Sequence, residues 1–484
     1  MDLSTLAKSQ SATSPLTESV RPLYFSLLSD EPSPAALATA RAFLCHELER
    51  AATCETELSL EADVLQRDVL AQAQQVGEAY RHYLAERREG APRRFFSSRA
   101  HALYFLRAVA PTKLVDGAWL SGLLPQWQDN RLAQLINIYL EELGEGHLAQ
   151  NHVAVYRRLL VAEGCEQWQD LPDSCYRQGT VQLALGLLAE HFLPELLGYN
   201  LSYEQPPLHL LITAYELEEL GINPYYFTLH TTIDNAAGGH ASRAVDSVLA
   251  MLPRRAERQA FVARVRNGYQ LSEVAPGSLA AIASYDLQQE VERILRGKCA
   301  VGQAAHSDRC RIDGRPVNEW LAEPAQIGRF LQTLEARGWI RRNAPPAESR
   351  FWHLLQGDGA RMFGVFDRYE LTVIADWIRN DRSNNGRPAS RQRQQWHRAT
   401  GTPAQRTGCV AINDFNHDQQ QLHRRLAAAG SSTAAMQHLI PLMSPVYHHT
   451  PLGLLATRYF VQLFRHGHLD RFSAEDADDY HALH

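Results

Sequence analysis

The 484-residue chain lacks the features that mark a disulfide scaffold, a zinc knuckle or a membrane protein. Its seven cysteines are scattered without a CxxC pair, so we expect reduced, buried thiols. No stretch approaches the ~18 uninterrupted apolar residues that a membrane span requires. Residues 1–19 have neither the basic nor the apolar region of a signal peptide. These absences predict a protein of the reducing cytoplasm without a membrane partner.

An excess of basic residues is also missing. The chain carries 48 Lys and Arg against 54 Asp and Glu, which gives a formal net charge of -6. A chain of this kind has no basic surface for a phosphate backbone, so a nucleic-acid partner is not expected. The composition, 45% hydrophobic and 21% charged, is typical of a globular protein, and the length indicates roughly two or three domains.

Strand patterns are scarce, and apolar residues recur at helical spacings along most of the chain, which predicts an all-α protein. Residues 1–96 are predicted as an N-terminal tail and helical extension, with a helix start at Ser33 and Pro34. Within the central part, glycine and proline at "APTKLVDG", "LPQWQDN", "LGEG" and "LGYN" are expected to separate helices. The predicted parts are 1–96, a central helical domain over 97–297, a helical region over 298–380, an Arg-rich linker or loop over 381–407 and a helical tail over 408–484.

One short stretch, "LHTTIDNAAGGHASRA" over 229–244, places His230, Asp234 and His240 close together in sequence. Residues four apart share a helix face, so His230 and Asp234 could converge on one ion. With this composition, however, about one His–x–x–x–Asp pair is expected by chance, and a second pair occurs at His466 and Asp470. The spacing alone therefore does not establish a metal site.

Further candidate ligands interrupt apolar stretches elsewhere in the central part. Asp116 lies in "KLVDGAWL", Glu142 and His152 are ten residues apart around two glycines, and Glu204 ends "NLSYE". A carboxylate on an apolar face needs a partner, because an unpaired buried charge is too costly to keep. Each of these residues alone is as well explained by a helix cap, a surface acid or a core histidine. Together with the stretch around His230 they indicate a metal site.

The combination of these motifs carries a family resemblance. The run "EELGEGHLAQNHVAVYRRLL", followed by "NLSYE" and "YYFTLHTTIDNAAGGHA", resembles the iron-containing redox enzymes of the haem-oxygenase-like diiron oxidase and oxygenase superfamily. The resemblance covers about residues 97–297. It implies a haem-oxygenase-like bundle of about seven helices that holds two non-haem iron ions, binds no haem and uses dioxygen. The N- and C-terminal helical portions are additions to this bundle.

The resemblance also implies which residues bind the two irons. Two positions depart from the family pattern: Asp116 stands where the family usually has Glu, and Ala237 occupies the last His position of the HxxxDxxH element. His240 follows three residues later, and Gly238 and Gly239 permit a tightened or unwound turn that would return it to the face of Asp234. The implied ligands are Asp116, Glu142, His152, Glu204, His230, Asp234 and His240.

Mixed carboxylate and imidazole ligands with open positions suit ferrous iron, whereas structural zinc favours cysteine. We therefore expect a dioxygen-dependent non-haem diiron oxidoreductase that acts on a small amino-acid or amine-type substrate by N-oxygenation, desaturation or C–C cleavage. The alternatives are a fatty-acid-type oxidative decarboxylase on the same site, a haem-binding or haem-degrading protein and a non-catalytic helical protein. A homodimer and an external electron donor are further partners that this interpretation allows. Nearby aromatic residues are expected to be core residues: Tyr203, Tyr225, Tyr226 and Phe227.

Overall fold

The computed structural model describes residues 19–54, 58–205, 207–233, 239–275, 277–303, 305–357, 360–380 and 408–468. Helices dominate these residues, which confirms the all-α prediction. Two two-residue strands, β1 (Arg311–Ile312) and β2 (Arg315–Pro316), form an antiparallel pair. No helix of this described part is long and apolar enough to cross a membrane.

The α-helices are numbered in chain order. The first three are α1 (Val20–Leu27), α2 (Pro34–Ala51) and α3 (Ala62–Arg88). The central ones are α4 (Arg99–Ala108), α5 (Ala110–Lys113), α6 (Ala133–Glu142), α7 (His152–Glu163), α8 (Arg177–Leu187), α9 (Leu193–Tyr203), α10 (Leu208–Glu219), α11 (Tyr225–Ile233), α12 (His240–Met251), α13 (Arg255–Val274), α14 (Ser278–Ala283) and α15 (Leu287–Gly302). The last are α16 (Val317–Leu321), α17 (Ile327–Ala336), α18 (Arg350–Leu355), α19 (Arg368–Arg379), α20 (Gly408–Ala428), α21 (Ser432–Leu439) and α22 (Pro451–His466). Short 3-10 helices cover Ala118–Gln126, Asn130–Leu132, Gly144–Gly146, Asp173–Tyr176, Pro324–Gln326, Pro346–Glu348 and Ile440–Met443.

The predicted start of α2 is confirmed. The Ser33 side chain accepts a hydrogen bond of 3.1 Å from the amide of Ala36, and Pro34 is the first helical residue. The serine satisfies an amide that the helix itself cannot, and the proline lacks the N–H that would otherwise be unsatisfied there. The helix then packs against α8 and α13.

The sequence "LGYN" over 197–200 does not separate two helices, so that prediction is wrong. Helix α9 continues through it and packs along α13. A Cβ atom at Gly198 would lie 1.9 Å from the carbonyl oxygen of Val265, so only glycine allows the two backbones to approach this closely. A helical glycine costs about 1 kcal/mol relative to alanine, and the close packing of α9 on α13 offsets that cost.

The apolar interior has two large clusters. One contains Trp119, Leu140 and Tyr199 with residues of α1, α2, α8, α12, α13 and the C-terminal helices. The other contains Val153 and Tyr156 with residues of α4, α11, α15, α17 and α19. Helix α6 belongs to the first cluster and α7 to the second, so the turn that joins these two helices connects the two clusters.

The C-terminal residues cover that turn. The Tyr139 hydroxyl donates a hydrogen bond of 2.6 Å to the carbonyl oxygen of Met443. Arg458 donates to the carbonyl oxygen of Gly146 at 3.1 Å, and Arg465 forms a 2.5 Å ion pair with Glu145. Helix α22 therefore holds the α6–α7 turn in place from outside the central helices.

The structure describes the side chains of six of the seven cysteines, and all six are free thiols. The expectation that they are buried holds for Cys165 and Cys299, whereas Cys45, Cys54 and Cys310 are exposed. A thiol is a small side chain that a surface tolerates, so scarcity of cysteine pairs does not by itself predict burial. The tail over 1–18, the linker over 381–407 and residues 469–484 lie outside the described residues.

Candidate metal centre

Six of the seven predicted ligands come together in two buried groups. Their ligand atoms lie within 4.8 Å of one another inside each group. Asp234, the seventh, lies outside the described residues, as do Ala237 and Gly238. The first group contains Asp116, Glu142, His152 and His230, and the second contains Glu142, Glu204 and His240.

Glu142 belongs to both groups and is the last residue of α6. Its Oε2 lies 2.5 Å from Nδ1 of His152, and its Oε1 lies 3.5 Å from Nδ1 of His240. The two oxygens of one carboxylate thus face the two groups. A carboxylate so placed can bridge two metal ions, as in other helical carboxylate centres.

His152 is positioned by its neighbour Asn151, a fully buried residue that caps α7. The Asn151 Oδ1 accepts a hydrogen bond of 2.9 Å from Ala154, while Nδ2 donates to the carbonyl oxygens of Leu143 at 3.2 Å and His448 at 3.3 Å. One amide side chain therefore joins the end of α6, the start of α7 and the C-terminal part of the chain.

Asp116 reaches the first group because the chain turns sharply after it. Gly117 has a φ of 78°, and a Cβ there would lie 3.0 Å from Cβ of Glu142. Only glycine combines this left-handed conformation with so close an approach. The Asp116 Oδ2 lies 3.0 Å from Nε2 of His230 and accepts a 2.5 Å hydrogen bond from the hydroxyl of Tyr226.

Tyr226 is a buried core aromatic, as predicted, but its hydroxyl also contacts the site, which sequence reasoning missed. Its backbone carbonyl lies 2.9 Å from Nδ1 of His230, one helical turn later. An Nδ1–H donated to that carbonyl leaves Nε2 as the nitrogen that faces Asp116. Of the other predicted core aromatics, Phe227 is buried as predicted, Tyr203 is half-buried, and Tyr225 is exposed, so the prediction is wrong for Tyr225.

His240 reaches the second group as the first residue of α12. Gly239 before it has an extended backbone with φ -85° and ψ -158°, so the chain is not helical at this glycine. Because α12 has its own axis, His240 does not have to lie on the same helical face as His230 to reach the site. Nδ1 of His240 lies 3.0 Å from Oε2 of Glu204, the residue that follows α9.

Glu141 is a further residue of the site that sequence reasoning missed. Its Oε2 lies 3.0 Å from Nε2 of His240, and its carboxylate pairs with Arg243 through two hydrogen bonds of 2.6 Å. Burial opposes its charge, but His240 and Arg243 outweigh burial and lower the pKa of Glu141 to about 2. Metal-binding histidines commonly present their second nitrogen to such a carboxylate.

The charges of Asp116 and His230 stabilise each other. Burial disfavours both charged forms, yet the Lys113 charge and the hydrogen bond with His230 hold the pKa of Asp116 well below its usual range. For His230, the hydrogen bond and charge of Asp116 outweigh burial and raise the pKa to about 9. In the metal-free protein at neutral pH the two groups therefore form a buried ion pair.

The residues fit iron by their chemistry. The donor set consists of three carboxylates and three imidazoles, all buried and without cysteine, which suits ferrous iron better than structural zinc. Oδ1 of Asp116 is buried without a hydrogen-bond partner among the described residues, a costly state that a cation would relieve.

The family model described as "Iron-containing redox enzyme" matches residues 103–273. This match confirms the resemblance to iron-containing redox enzymes over that part of the chain, which includes all six described candidate ligands. It supports an iron-dependent oxidoreductase. Comparisons with curated proteins and with solved structures find no match.

Proposed function

We propose that the chain is a non-haem diiron oxidase or oxygenase, which uses dioxygen to oxidise a small amino-acid or amine-type substrate. The observation that carries the proposal is the position of Glu142, whose two carboxylate oxygens face His152 and His240 separately. A carboxylate that faces two groups of ligands is expected where two metal ions are bound, whereas a site for a single iron requires only one such group.

In this proposal, Asp116, His152 and His230 would hold one iron, Glu204 and His240 would hold the other, and Glu142 would be shared between them. Asp234 is the seventh proposed ligand. Two ferrous ions would supply the electrons that reduce dioxygen. The protein residues orient the ligands: Tyr226 fixes Asp116 through its hydroxyl, and Glu141 fixes the ring of His240. Both contacts are buried or half-buried, so water does not compete freely with them.

The test is to load the metal-free protein with ferrous iron under anaerobic conditions and to measure iron per chain, dioxygen uptake and thermal unfolding. We expect two irons per chain, dioxygen uptake that depends on iron and a higher melting temperature, since a ligand that binds only the folded state stabilises it. An unchanged melting curve at saturating iron, without dioxygen uptake, would overturn the proposal.

The same preparations distinguish the alternatives. A Soret band after addition of haem would favour a haem-binding protein instead. Dioxygen uptake that is stimulated by fatty acids but not by amino acids or amines would keep the diiron site and replace the substrate class by that of an oxidative decarboxylase.

A further inference from the structure

Lys113 is a buried cation beside the candidate metal centre. It ends α5, lies three residues before Asp116 and is 5% exposed. Its Nζ lies 5.7 Å from the ring centroid of Tyr203 and 5.6 Å from that of Tyr226. Within the part of the chain described, the ammonium of Lys113 has no hydrogen bond and no ion pair within 4.0 Å. Two aromatic faces attract an ammonium, but they do not neutralise it.

His209, the second residue of α10, is a second basic side chain next to Lys113. It too forms no hydrogen bond with the described residues. Burial and then the nearby Lys113 charge lower the pKa of His209 to about 4, so its imidazole is neutral at physiological pH. A neutral imidazole retains one N–H that can donate a hydrogen bond. His209 is thus close enough to feel the Lys113 charge, and neither side chain has a hydrogen-bond partner among the described residues.

Iron binding would increase the need for a negative charge at this position. In the metal-free protein the charge of Lys113 is balanced in part by Asp116, whose pKa it lowers. Asp116 belongs to the first ligand group, so its negative charge would be taken up by iron, and Glu141 is already paired with Arg243. Lys113 would then be a buried cation that has lost the carboxylate charge that balances it in part, which is unstable without another anion.

We propose that Lys113 and His209 bind the carboxylate group of the substrate next to the metal centre. One ammonium and one imidazole N–H match the two oxygens of a monoanionic carboxylate, whereas a phosphate dianion would require more donors. The rings of Tyr203 and Tyr226 lie against the ammonium and strengthen its attraction to an anion by excluding water. The inference rests on the proposed function and narrows its substrate: amino acids and fatty acids remain, and amines or guanidines without a carboxylate do not.

The probe for this site is acetate, because a molecule this small does not need to fit the shape of a side-chain pocket. Acetate and its uncharged counterpart acetamide are titrated at constant ionic strength into the iron-loaded anaerobic protein and the metal-free protein. Apparent dissociation constants come from the rise in melting temperature with probe concentration. The variants are Lys113→Met, His209→Gln and, as the matched control, Lys298→Met. Lys298 pairs with Glu370 at 2.8 Å on α15 and α19, which carry none of the candidate ligands.

We expect the wild-type protein to prefer acetate over acetamide by about tenfold or more, the range typical of a charge-assisted hydrogen bond. Lys113→Met should abolish this preference, His209→Gln should reduce it and Lys298→Met should leave it unchanged. If acetate binds Lys113→Met as tightly as wild type, it binds the iron directly and the proposal is wrong. Equal binding of acetate and acetamide by the wild-type protein would overturn it as well.

If Lys113→Met does not fold, His209→Gln carries the test, because it leaves the buried charge in place. A reduced preference in His209→Gln supports the site, and an undiminished one contradicts it. Iron content and dioxygen uptake are measured on the same samples. A preference for acetate that depends on Lys113 or His209 in a protein without iron would retain the carboxylate site and reject the diiron function. Iron-dependent dioxygen uptake without a preference for acetate would support the diiron function and reject the carboxylate site.

Discussion

Nε2 of His240 lies 3.0 Å from Oε2 of Glu141, while Nδ1 of the same ring lies 3.0 Å from Oε2 of Glu204. The imidazole is therefore held between two carboxylates, only one of which belongs to a ligand group. Arg243 fixes Glu141 from the other side through both carboxylate oxygens. Glu141 thus determines which nitrogen of His240 is directed at the candidate metal position.

Glu141→Gln should weaken iron binding at the group that contains His240. The amide keeps the size of the side chain but loses the charge that holds the His240 ring, and loss of such an outer carboxylate typically costs about 10- to 100-fold in metal affinity. Competition with a ferrous chelator measures the effect. Glu292→Gln, on α15, removes an ion pair with Arg296 and should leave the affinity unchanged. Equal affinities in both variants would mean that Glu141 does not position His240.

Replacement of the shared carboxylate should affect both irons, whereas replacement of a carboxylate from one group should affect one. We expect Glu142→Ala to retain less than one iron per chain and Glu204→Ala to retain about one, because Glu142 is the one described residue that belongs to both groups. Mössbauer spectra of the anaerobic ferrous protein count the sites. Two irons retained in Glu142→Ala would contradict the bridging role.

His230→Ala should abolish iron-dependent dioxygen uptake. His466 offers a matched control, since it begins the other His–x–x–x–Asp sequence of the chain and is exposed at the end of α22. His466→Ala should therefore retain full uptake, measured with an oxygen electrode after ferrous loading. Similar losses in the two variants would show that the His230 site does not carry the activity.

The buried pair of His230 and Asp116 predicts a pH dependence of stability in the metal-free protein. A histidine whose pKa is raised from 6.5 to about 9 stabilises the fold fully below pH 6.5, and this contribution disappears as the pH rises through 9. Its size is on the order of 3 kcal/mol at most. Urea unfolding between pH 6 and 10 should show a difference in unfolding free energy between wild type and His230→Ala that shrinks with rising pH. A difference that is constant over this range would contradict the ion pair.

Sequence patterns predicted well the features that depend on neighbouring residues. The cap at Ser33 and the turn after Glu142 are local, and both are present. Gly198 is different, because its role depends on Val265 in a helix far along the chain. A glycine that ends a helix and one that admits another helix look alike in sequence.

The candidate ligands were predicted from sequence motifs, but which of them lie close together became known only from the three-dimensional structure. Glu141 and Glu142 are adjacent acids, and nothing in the sequence says which faces the site and which supports it. That distinction depends on α12 starting at His240, so that Arg243 comes to lie one turn later beside Glu141. Lys113 was not selected as a site residue either. A lysine in an apolar stretch indicates a binding site only once the structure shows that its ammonium is buried without an ion pair.

The four hydrogen-bonding contacts of Asn151 tie the ends of α6 and α7 to His448, a residue 175 positions beyond the last one matched by the family model (448 minus 273). The smallest piece of this chain that can keep Glu142 and His152 in register is consequently larger than the matched segment. An expression fragment trimmed to that segment would lose the carbonyl oxygen and the imidazole that hold the Asn151 amide, and the two helix ends would be free to separate.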